Sequence, residues 1–236
     1  MKKKLYISIC SCVLVCIVVI SVILVKQLKK DKELPIEWSY GSCSIDYKIP
    51  EQVVGLADYV FIGYVEDKLD TEYRIPEDDI DGAPLTNYSV TVVENIKGVL
   101  TQETAVELQK IGGIAKNGKY ISLMEGDIVL EVGELYLFSA TGKTDGGLYC
   151  GVPNSCVPMN EALEESELKT QKVKSQLINS NVTKFYKTAI KNEIKYNRDR
   201  YLSKYDKSGK KVKVGEPYET EKPTAQDDNP TDIPEQ

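Results

Sequence analysis

The fold class of this chain is decided by residues 88–94, which read Tyr-Ser-Val-Thr-Val-Val-Glu. Tyr88, Val90 and Val92 lie at alternate positions, and this period of two is typical of a strand that buries one face. Residues 59–65, Tyr-Val-Phe-Ile-Gly-Tyr-Val, form a second apolar run. Gly63 within that run indicates a bend or bulge, as a barrel corner requires. Both stretches predict β-strands.

Further short strands are predicted toward the C-terminus. Residues 105–111 alternate again, residues 135–140 form a buried-looking strand, and a last strand begins at residue 148. Glycine-containing turns separate these strands. Five or six short strands with little helix predict a mainly β chain, folded as a small antiparallel barrel or sandwich.

Two connecting segments are predicted to form ligand-binding loops. Residues 67–84 contain seven acidic residues together with proline and glycine, which predicts a long loop. Residues 111–120 are rich in glycine and are predicted to be a flexible hairpin tip. Oxygen ligands suited to calcium cluster at Glu77, Asp78, Asp79 and Asp81. Their spacing is not that of a calcium-binding helix-loop-helix, so a solvated acidic loop is the preferred interpretation.

Residues 5–25 form an unbroken run of 21 residues without charge, and lysines bracket it on both sides. A helix needs roughly 20 apolar residues to cross a bilayer, so the run predicts one N-terminal transmembrane helix. No small-x-small cleavage site precedes Lys26, and Val15 rather than a small residue precedes Cys16. An uncleaved signal anchor is therefore preferred over a cleaved signal peptide or a lipoprotein signal.

The anchor sets the order of the neighbouring segments. Residues 1–4 are predicted to be cytoplasmic and residues 26–38 to form a stalk. The lysines on the two flanks nearly cancel, so an extracellular C-terminal part is expected because long domains translocate regardless of local charge. The predicted location is the cell membrane, with a single span and an extracellular C-terminal domain.

Charge divides the C-terminal part of the chain. Residues 159–214 contain 14 basic and 7 acidic residues, although the net charge of the whole chain is −6. Apolar residues recur there at helical spacing, which predicts a basic helical segment with one or two amphipathic helices. An anionic surface, such as a wall polymer or lipid headgroups, is its candidate partner. Residues 215–236 are acidic and rich in proline, and they are predicted to be disordered.

The chain contains no histidine. This removes the usual general base, the base of a Ser-His-Asp triad and the commonest zinc ligand. We therefore expect no catalytic activity, no cofactor and no metal. Carboxylate chemistry is not removed, and Asp58 and Glu94 are the acids expected to lie nearest the core. The many Lys, Ile, Asn and Tyr residues suggest a Gram-positive bacterium, and an exported chain is not expected to bind nucleic acid.

The middle of the chain resembles a known family. Cys43 is followed by Ala-Asp-Tyr-Val-Phe-Ile-Gly-Tyr-Val at 57–65 and by Tyr-Ser-Val-Thr-Val-Val-Glu-Asn-Ile-Lys-Gly at 88–98. Val-Gly-Glu-Leu-Tyr-Leu-Phe at 132–138 and a final strand with Cys150 complete the order. This order resembles the netrin-like domain of tissue inhibitors of metalloproteinases and its bacterial surface relatives. The resemblance implies that residues 39–158 form a small OB-like barrel.

The resemblance also implies a disulfide bond between Cys43 and Cys150. Three cysteines follow the apolar run, so one is left over in any pairing. Cys43–Cys156 is the alternative, and Cys150–Cys156, which would close the Gly-Val-Pro-Asn-Ser loop, is a third possibility. The family's zinc chelation by an N-terminal cysteine is not implied for Cys43, because 42 residues precede it and serines flank it.

These observations predict a membrane-anchored extracellular binding module without catalytic activity. Its expected partners are the cell membrane, through the single span, and an extracellular protein or glycan. Two alternatives stay open. One is an inhibitor-like protein that acts on an extracellular metalloprotease, and the other is a hydrolase of wall polymers that uses two carboxylates across a cleft.

Overall fold

A computed structural model describes residues 34–41, 43–74, 82–159, 168 and 170–219. The predictions for residues 1–4, for the anchor at 5–25, for most of the stalk at 26–38 and for most of the tail at 215–236 lie outside them. In the described part, no helix is both long and apolar enough to cross a membrane. The chain divides into two compact units, Met1–Ile36 and Glu37–Gln236, and the architecture below belongs to the second.

The described residues form eleven strands and three helices. The strands are β1 (Ile36–Ser39), β2 (Tyr59–Arg74), β3 (Ala83–Lys97), β4 (Ala105–Ile111), β5 (Gly113–Ile114), β6 (Ile121–Met124), β7 (Leu135–Gly142), β8 (Leu148–Cys150), β9 (Cys156–Pro158), β10 (Arg200–Tyr201) and β11 (Pro217–Glu219). The helices are α1 (Pro50–Leu56), α2 (Gln171–Ile178) and α3 (Asn181–Lys191). The prediction of a mainly β chain is confirmed.

The main sheet has six strands in the order β2-β3-β4-β8-β7-β9. β2 pairs with β3 along one edge and with β7 along the other, so the sheet curls back on itself. It is not a regular closed barrel, because three residue pairs join β8 to β4 and only two join β8 to β7. The remaining strands form a three-stranded sheet, β1-β6-β5, and a two-stranded sheet, β10-β11.

One pairing of the main sheet differs from the predicted antiparallel arrangement. β4 and β8 run parallel, with Leu108 beside Leu148 and Lys110 beside Cys150. Parallel neighbours need a crossover of a dozen or more residues. The long connection that contains β5, β6 and β7 provides it, so the prediction of a purely antiparallel sheet is wrong at this point.

Apolar side chains cover both sides of the sheet where β2 and β7 pair. On the inner side, Tyr88 and Val90 pack with Phe61 and Phe138, and the two phenylalanine rings stack with their centroids 5.2 Å apart. The predicted buried face of residues 88–94 is therefore confirmed. On the outer side, side chains of β2 and β7 such as Ile62 pack with buried residues of the three helices. Burial on both sides explains why these strands read as continuous apolar runs.

The irregularity predicted at Gly63 is also confirmed. The register between β2 and β3 shifts between Ile62 and Gly63. A Cβ atom at Gly63 would lie 2.5 Å from Cγ1 of Val90 and 2.9 Å from the ring of Phe138. Glycine is required here because two core side chains approach the backbone closely.

Each helix begins at residues that favour a helix N-terminus. α1 has Pro50 in its first turn. Proline has no N–H to donate, but an N–H at this position has no acceptor within the helix, so no hydrogen bond is lost. The Thr170 hydroxyl accepts the N–H of Val173 at 3.4 Å and caps α2, and the Ser180 hydroxyl accepts the N–H of Thr183 at 3.2 Å and caps α3. α2 and α3 bury one face each, as expected of the predicted amphipathic helices.

The loop predicted at residues 67–84 is wrong over most of its length. β2 continues to Arg74 and β3 starts at Ala83, and these two residues are register partners. Residues 67–74 and 83–89 therefore form a two-stranded arm. Both faces of the β2 side of the arm are largely exposed, so its sequence lacks the apolar alternation that reveals a half-buried strand.

Asp58 joins residues 192–219, which follow α3 and are called the C-terminal segment, to the sheet. Its side chain is 1% exposed and accepts hydrogen bonds from the N–H of Gly142 (2.9 Å), from Arg198 (2.6 Å) and from Arg200 (3.0 Å). The Tyr218 hydroxyl donates a fourth bond at 3.2 Å. Burial, reinforced by the charge of Asp58, raises the pKa of Tyr218 and keeps it a donor. We call Asp58, Arg198, Arg200 and Tyr218 the Asp58 clasp.

The two arginines of the clasp also bind the end of α1. Arg200 donates to the carbonyl of Gly55 at 2.7 Å, and Arg198 donates to the carbonyl of Leu56 at 2.8 Å. The last carbonyls of a helix lack partners within it, and here the guanidinium groups supply them. Because α1 leads directly into β2, these bonds fix the C-terminal segment to the start of the sheet.

We predict that Asp58→Asn lowers the free energy of unfolding by about 3–5 kcal/mol, because it leaves buried arginine charge without its partner. The measurement is urea unfolding of a fragment comprising residues 34–236, followed by circular dichroism. Asp67→Asn, on an exposed position of β2, is the matched control and should change stability by less than about 0.5 kcal/mol. Equal losses in the two variants would contradict the clasp.

Candidate functional site

The outward side of β3 and β4 is polar. Asn87, Ser89 and Thr91 alternate along β3 with the buried core residues. On β4, Gln109 lies opposite Asn87 and Glu107 lies opposite Ser89. Side chains of a strand alternate between its two faces, so these five point away from the inner core. We call them the polar face.

Two amide side chains form the most ordered part of the polar face. Asn87 and Gln109 are only 4% and 6% exposed. Gln109 donates to the Asn87 side-chain oxygen at 3.0 Å, and Asn87 donates to Asp70 at 3.0 Å and to Glu72 at 2.9 Å. Both carboxylates belong to the β2 side of the two-stranded arm. The amides are thus fixed in orientation by a chain of hydrogen bonds.

An open cleft of about 150 Å³ lies beside these amides. Its lining consists of polar-face residues, the turn between β7 and β8, and one residue of the C-terminal segment: Asn87, Glu107, Gln109, Lys143, Asp145, Gly147, Leu148 and Lys204. Two ion pairs border it, Lys143–Asp145 at 2.9 Å and Lys204–Glu107 at 3.4 Å. We call it the polar cleft.

Asp145 is held in its charged form. Partial burial acts to raise its pKa, but the N–H of Gly147 and the ammonium of Lys143 outweigh burial and lower the pKa. The Gly147 N–H donates to the carboxylate at 2.8 Å. The cleft therefore presents this negative charge in a fixed position.

Lys204 supplies a positive charge on the opposite border. Slight burial acts to lower its pKa, but Tyr205 and Glu107 outweigh burial and raise the pKa. Its ammonium also lies 5.1 Å from the centroid of the Tyr205 ring. Exposed ion pairs contribute little to stability, so these charges are available to a ligand.

The C-terminal segment is tied directly to the turn that forms the other border of the cleft. The N–H of Lys204 donates to the carbonyl of Gly146 at 2.8 Å, and the Ser203 hydroxyl donates to the same carbonyl at 2.9 Å. The Tyr59 hydroxyl accepts the N–H of Ser203 at 2.9 Å and donates to Asp206 at 3.0 Å. The two borders of the polar cleft are therefore held together by buried hydrogen bonds.

A second groove, of about 100 Å³, is lined by Tyr64, Glu66, Thr91, Val92, Val93, Glu103, Ala105, Leu168 and Lys174. Glu66 accepts hydrogen bonds from the hydroxyls of Ser89 and Thr91. Lys174 of α2 pairs with Glu103 at 2.7 Å. Both carboxylates of this groove thus hold partners within the fold, which favours a packing role over acid–base chemistry.

The three predicted disulfide cysteines are free thiols in the structure. Cys43 is half-buried, and Cys150 and Cys156 are buried. The Cys43–Cys150 bond and its Cys43–Cys156 alternative therefore stay predictions.

The two acids proposed for a hydrolase do not share a cleft. Asp58 lies in the clasp, where two arginines and two further donors hold it. Glu94 lies on β3 and accepts a hydrogen bond from Gln102 at 3.2 Å. Neither acid lines the polar cleft or the second groove.

The two predicted binding loops have separate outcomes. Glu77, Asp78, Asp79 and Asp81 lie outside the described residues. Within the residues that the structure does describe, no group of three His, Cys, Asp or Glu side chains could hold a metal ion. The hairpin tip is formed by β5 and β6, which pair through Gly113 and Ser122, and residues 116–119 are exposed.

The sequence reasoning missed the polar face, although part of its signal was present. Asn87 and Gln109 follow the same alternation that predicted the strands, and they occupy the outward positions. The sequence does not predict that Lys143 and Lys204 line one cleft, because only long-range contacts of the C-terminal segment bring them together.

Comparison with protein-family models and with curated proteins finds no match to this chain.

Proposed function

We propose that this chain is a membrane-anchored extracellular binding module without catalytic activity, and that its ligand binds at the polar cleft. The observation that supports this most is the combination of oriented amides with ion-paired charges of both signs in one open cleft. Small-molecule sites are usually lined mainly by apolar side chains with a few polar groups, whereas polar and charged side chains predominate here, which suits a hydrophilic ligand. The side chains that line the cleft are mostly hydrogen-bonding or charged, which favours binding of a ligand over catalysis.

We also propose that residues 39–158 form an OB-like domain, as the family resemblance implied. The pairing series β2-β3-β4-β8-β7, together with the additional β2–β7 pairing, supports this. An OB-fold is a five-stranded, partly open barrel whose second and third strands form the ligand-binding face. Counted from β2, those strands are β3 and β4, which form the polar face.

The ligand class that fits the cleft contains both hydroxyl and amide groups. The buried amides are bonded within the fold and keep the wall of the cleft in place, and the charged side chains of the two ion pairs can each bind a polar group of the ligand. A wall glycan with amide substituents meets this requirement, and an extracellular protein is the alternative. The polar cleft offers each of them the same set of donors and acceptors.

The extracellular membrane location stays a proposal, supported by the apolar run at residues 5–25. Trp38 and Tyr40, which follow this run in the sequence, are 45% and 80% exposed. Tryptophan and tyrosine are enriched where proteins meet the membrane–water interface. Their exposure is consistent with a domain that begins close to the membrane surface.

We predict that replacing cleft charges weakens ligand binding. The double variant Glu107→Gln/Lys143→Ala in the fragment 34–236 should bind purified wall glycan about tenfold more weakly or worse, because charge-assisted hydrogen bonds contribute about 1.5–3 kcal/mol. Co-sedimentation at several glycan concentrations gives the affinity. Lys184→Ala, on the exposed side of α3, is the control and should bind like the unchanged fragment.

Two results would argue against this function. Equal binding by the cleft variant and the control would exclude the polar cleft as the wall-glycan site. Release of soluble fragments from the glycan by the unchanged fragment would favour the hydrolase alternative.

We predict that the full-length protein stays in the membrane fraction during alkaline carbonate extraction, because an apolar run of this length anchors a chain in lipid. Protease added to intact protoplasts should digest the C-terminal domain, and N-terminal sequencing should find Met1 or Lys2. A fragment that begins at residue 34 serves as the control and should be extracted. A mature N-terminus at Cys43 would contradict the anchor and revive the inhibitor alternative.

A further inference from the structure

Two of the three cysteines converge at one edge of β7. β8 and β9 pair with this edge one after the other. Cys156 lies opposite Phe138, and extending the β8 register by one residue places Cys150 opposite Ala140. Positions two residues apart along a strand are about 6.6 Å apart at Cα and face the same side. That separation lies within the range that a disulfide bond spans.

A tight turn returns the chain to this edge between the two cysteines. The N–H and the hydroxyl of Ser155 both donate to the carbonyl of Val152, at 3.3 and 2.5 Å. Asn154 has a φ of 60°, which reverses the direction of the chain. The carbonyl of Ser155 then accepts the N–H of Ser139 on β7 at 2.7 Å. The turn thereby fixes the start of β9 beside the end of β8.

Both thiols are buried in the inner core. Cys150 and Cys156 are 0% and 3% exposed. The Cys150 thiol donates weakly to the carbonyls of Ser139 and Ser155, at 3.7 and 3.9 Å. Burial raises the pKa of Cys150 well above its usual value, the neighbouring Cys156 thiol raises the pKa further, and Lys110 acts against this shift. Both sulfurs belong to the same buried apolar cluster on the inner side of the sheet.

Cys43 has a different environment. It lies in the irregular segment after β1 and is half-buried. Burial raises the pKa of its thiol, and the carboxylate of Asp127 raises it further.

We propose that Cys150 and Cys156 form a disulfide bond that closes the loop at residues 151–155, and that Cys43 takes no part in it. This pairing differs from the Cys43–Cys150 bond that the family resemblance implies. It stands on the strand register, the turn and the burial of both sulfurs. The bond in protein isolated from cells rests on the proposed extracellular location, because disulfides persist in oxidising compartments, whereas the bond formed on refolding does not depend on location.

The bond forms by exchange with a small-molecule disulfide, RS–SR. One cysteine thiolate attacks RS–SR and releases RS⁻, and the second cysteine thiolate attacks the resulting mixed disulfide and releases the second RS⁻. The two protons of the cysteines leave with the two RS⁻ groups as RSH. The pair of cysteines is oxidised by two electrons, and RS–SR is reduced to two thiols. Because both sulfurs are buried, exchange requires an open core, and the finished bond is protected from reductants.

Tryptic peptides distinguish the possible pairings. Trypsin cleaves after Lys143 and Lys169, so one peptide, 144–169, contains both Cys150 and Cys156, whereas Cys43 lies in peptide 33–48. The full-length protein in detergent is reduced, unfolded in urea, refolded with oxidised and reduced glutathione, and quenched with acid. It is then alkylated with iodoacetamide in denaturant and digested without reduction. Protein isolated directly from cells under acid quench is treated in the same way.

The expected result is a peptide 144–169 that is not alkylated and is two hydrogens lighter than its dithiol form. Peptide 33–48 should appear by itself, with its thiol alkylated or bonded to glutathione. Reduction before alkylation should then add two alkyl groups to peptide 144–169. Two results would overturn the proposal: a bond between peptides 33–48 and 144–169, or alkylation of both Cys150 and Cys156 before reduction.

Cys43→Ser is the matched control. It removes the only cysteine of peptide 33–48 and leaves the core pair untouched. The same loss of two hydrogens in peptide 144–169, with the same yield, is expected in this variant. A lower yield would show that Cys43 takes part in the native bond and would also overturn the proposal.

Discussion

The buried carboxylate of Asp58 joins the first helix, the main sheet and the residues that follow α3. It lies where α1 passes into β2, and its partners come from the end of β7 and from the C-terminal segment. A buried charge is costly unless it is paired. Separation of the segment from the sheet would therefore leave the Asp58 carboxylate buried without its two arginine partners. The same segment places Lys204 beside the turn between β7 and β8. The clasp fixes this segment to the start of the sheet, and the hydrogen bonds of Ser203 and Lys204 to Gly146 hold the two borders of the polar cleft together.

Part of this fold could be predicted from local pattern alone. Residues 88–94 bury the face that their alternation marked, and Gly63 lies at a register shift as its place in an apolar run suggested. These patterns can be recognised within one segment, because side chains of a strand alternate between its two faces. The two-stranded arm was missed for the same reason, because residues 67–74 bury neither face and leave no alternation to read.

The clasp and the cleft could not be predicted in this way. Arg200 and Asp58 are 142 positions apart, and nothing near either residue marks the other as its partner. The sequence offers Asp58 as a candidate catalytic acid, but in the structure four donors bind its two carboxylate oxygens and it lines neither the polar cleft nor the second groove. The outward position of Asn87 and Gln109 could have been predicted, since both residues alternate with apolar residues in predicted strands. The lysines that complete the cleft come from separate segments and required the three-dimensional structure.

Ligand binding at the polar cleft can be tested by nuclear magnetic resonance of the fragment 34–236, titrated with soluble wall-glycan fragments. We expect the side-chain amide signals of Asn87 and Gln109 to shift together with the backbone signals of residues 143–147 and Lys204. Shifts confined to the hairpin tip at residues 116–119, or to α3, would contradict binding at the polar cleft.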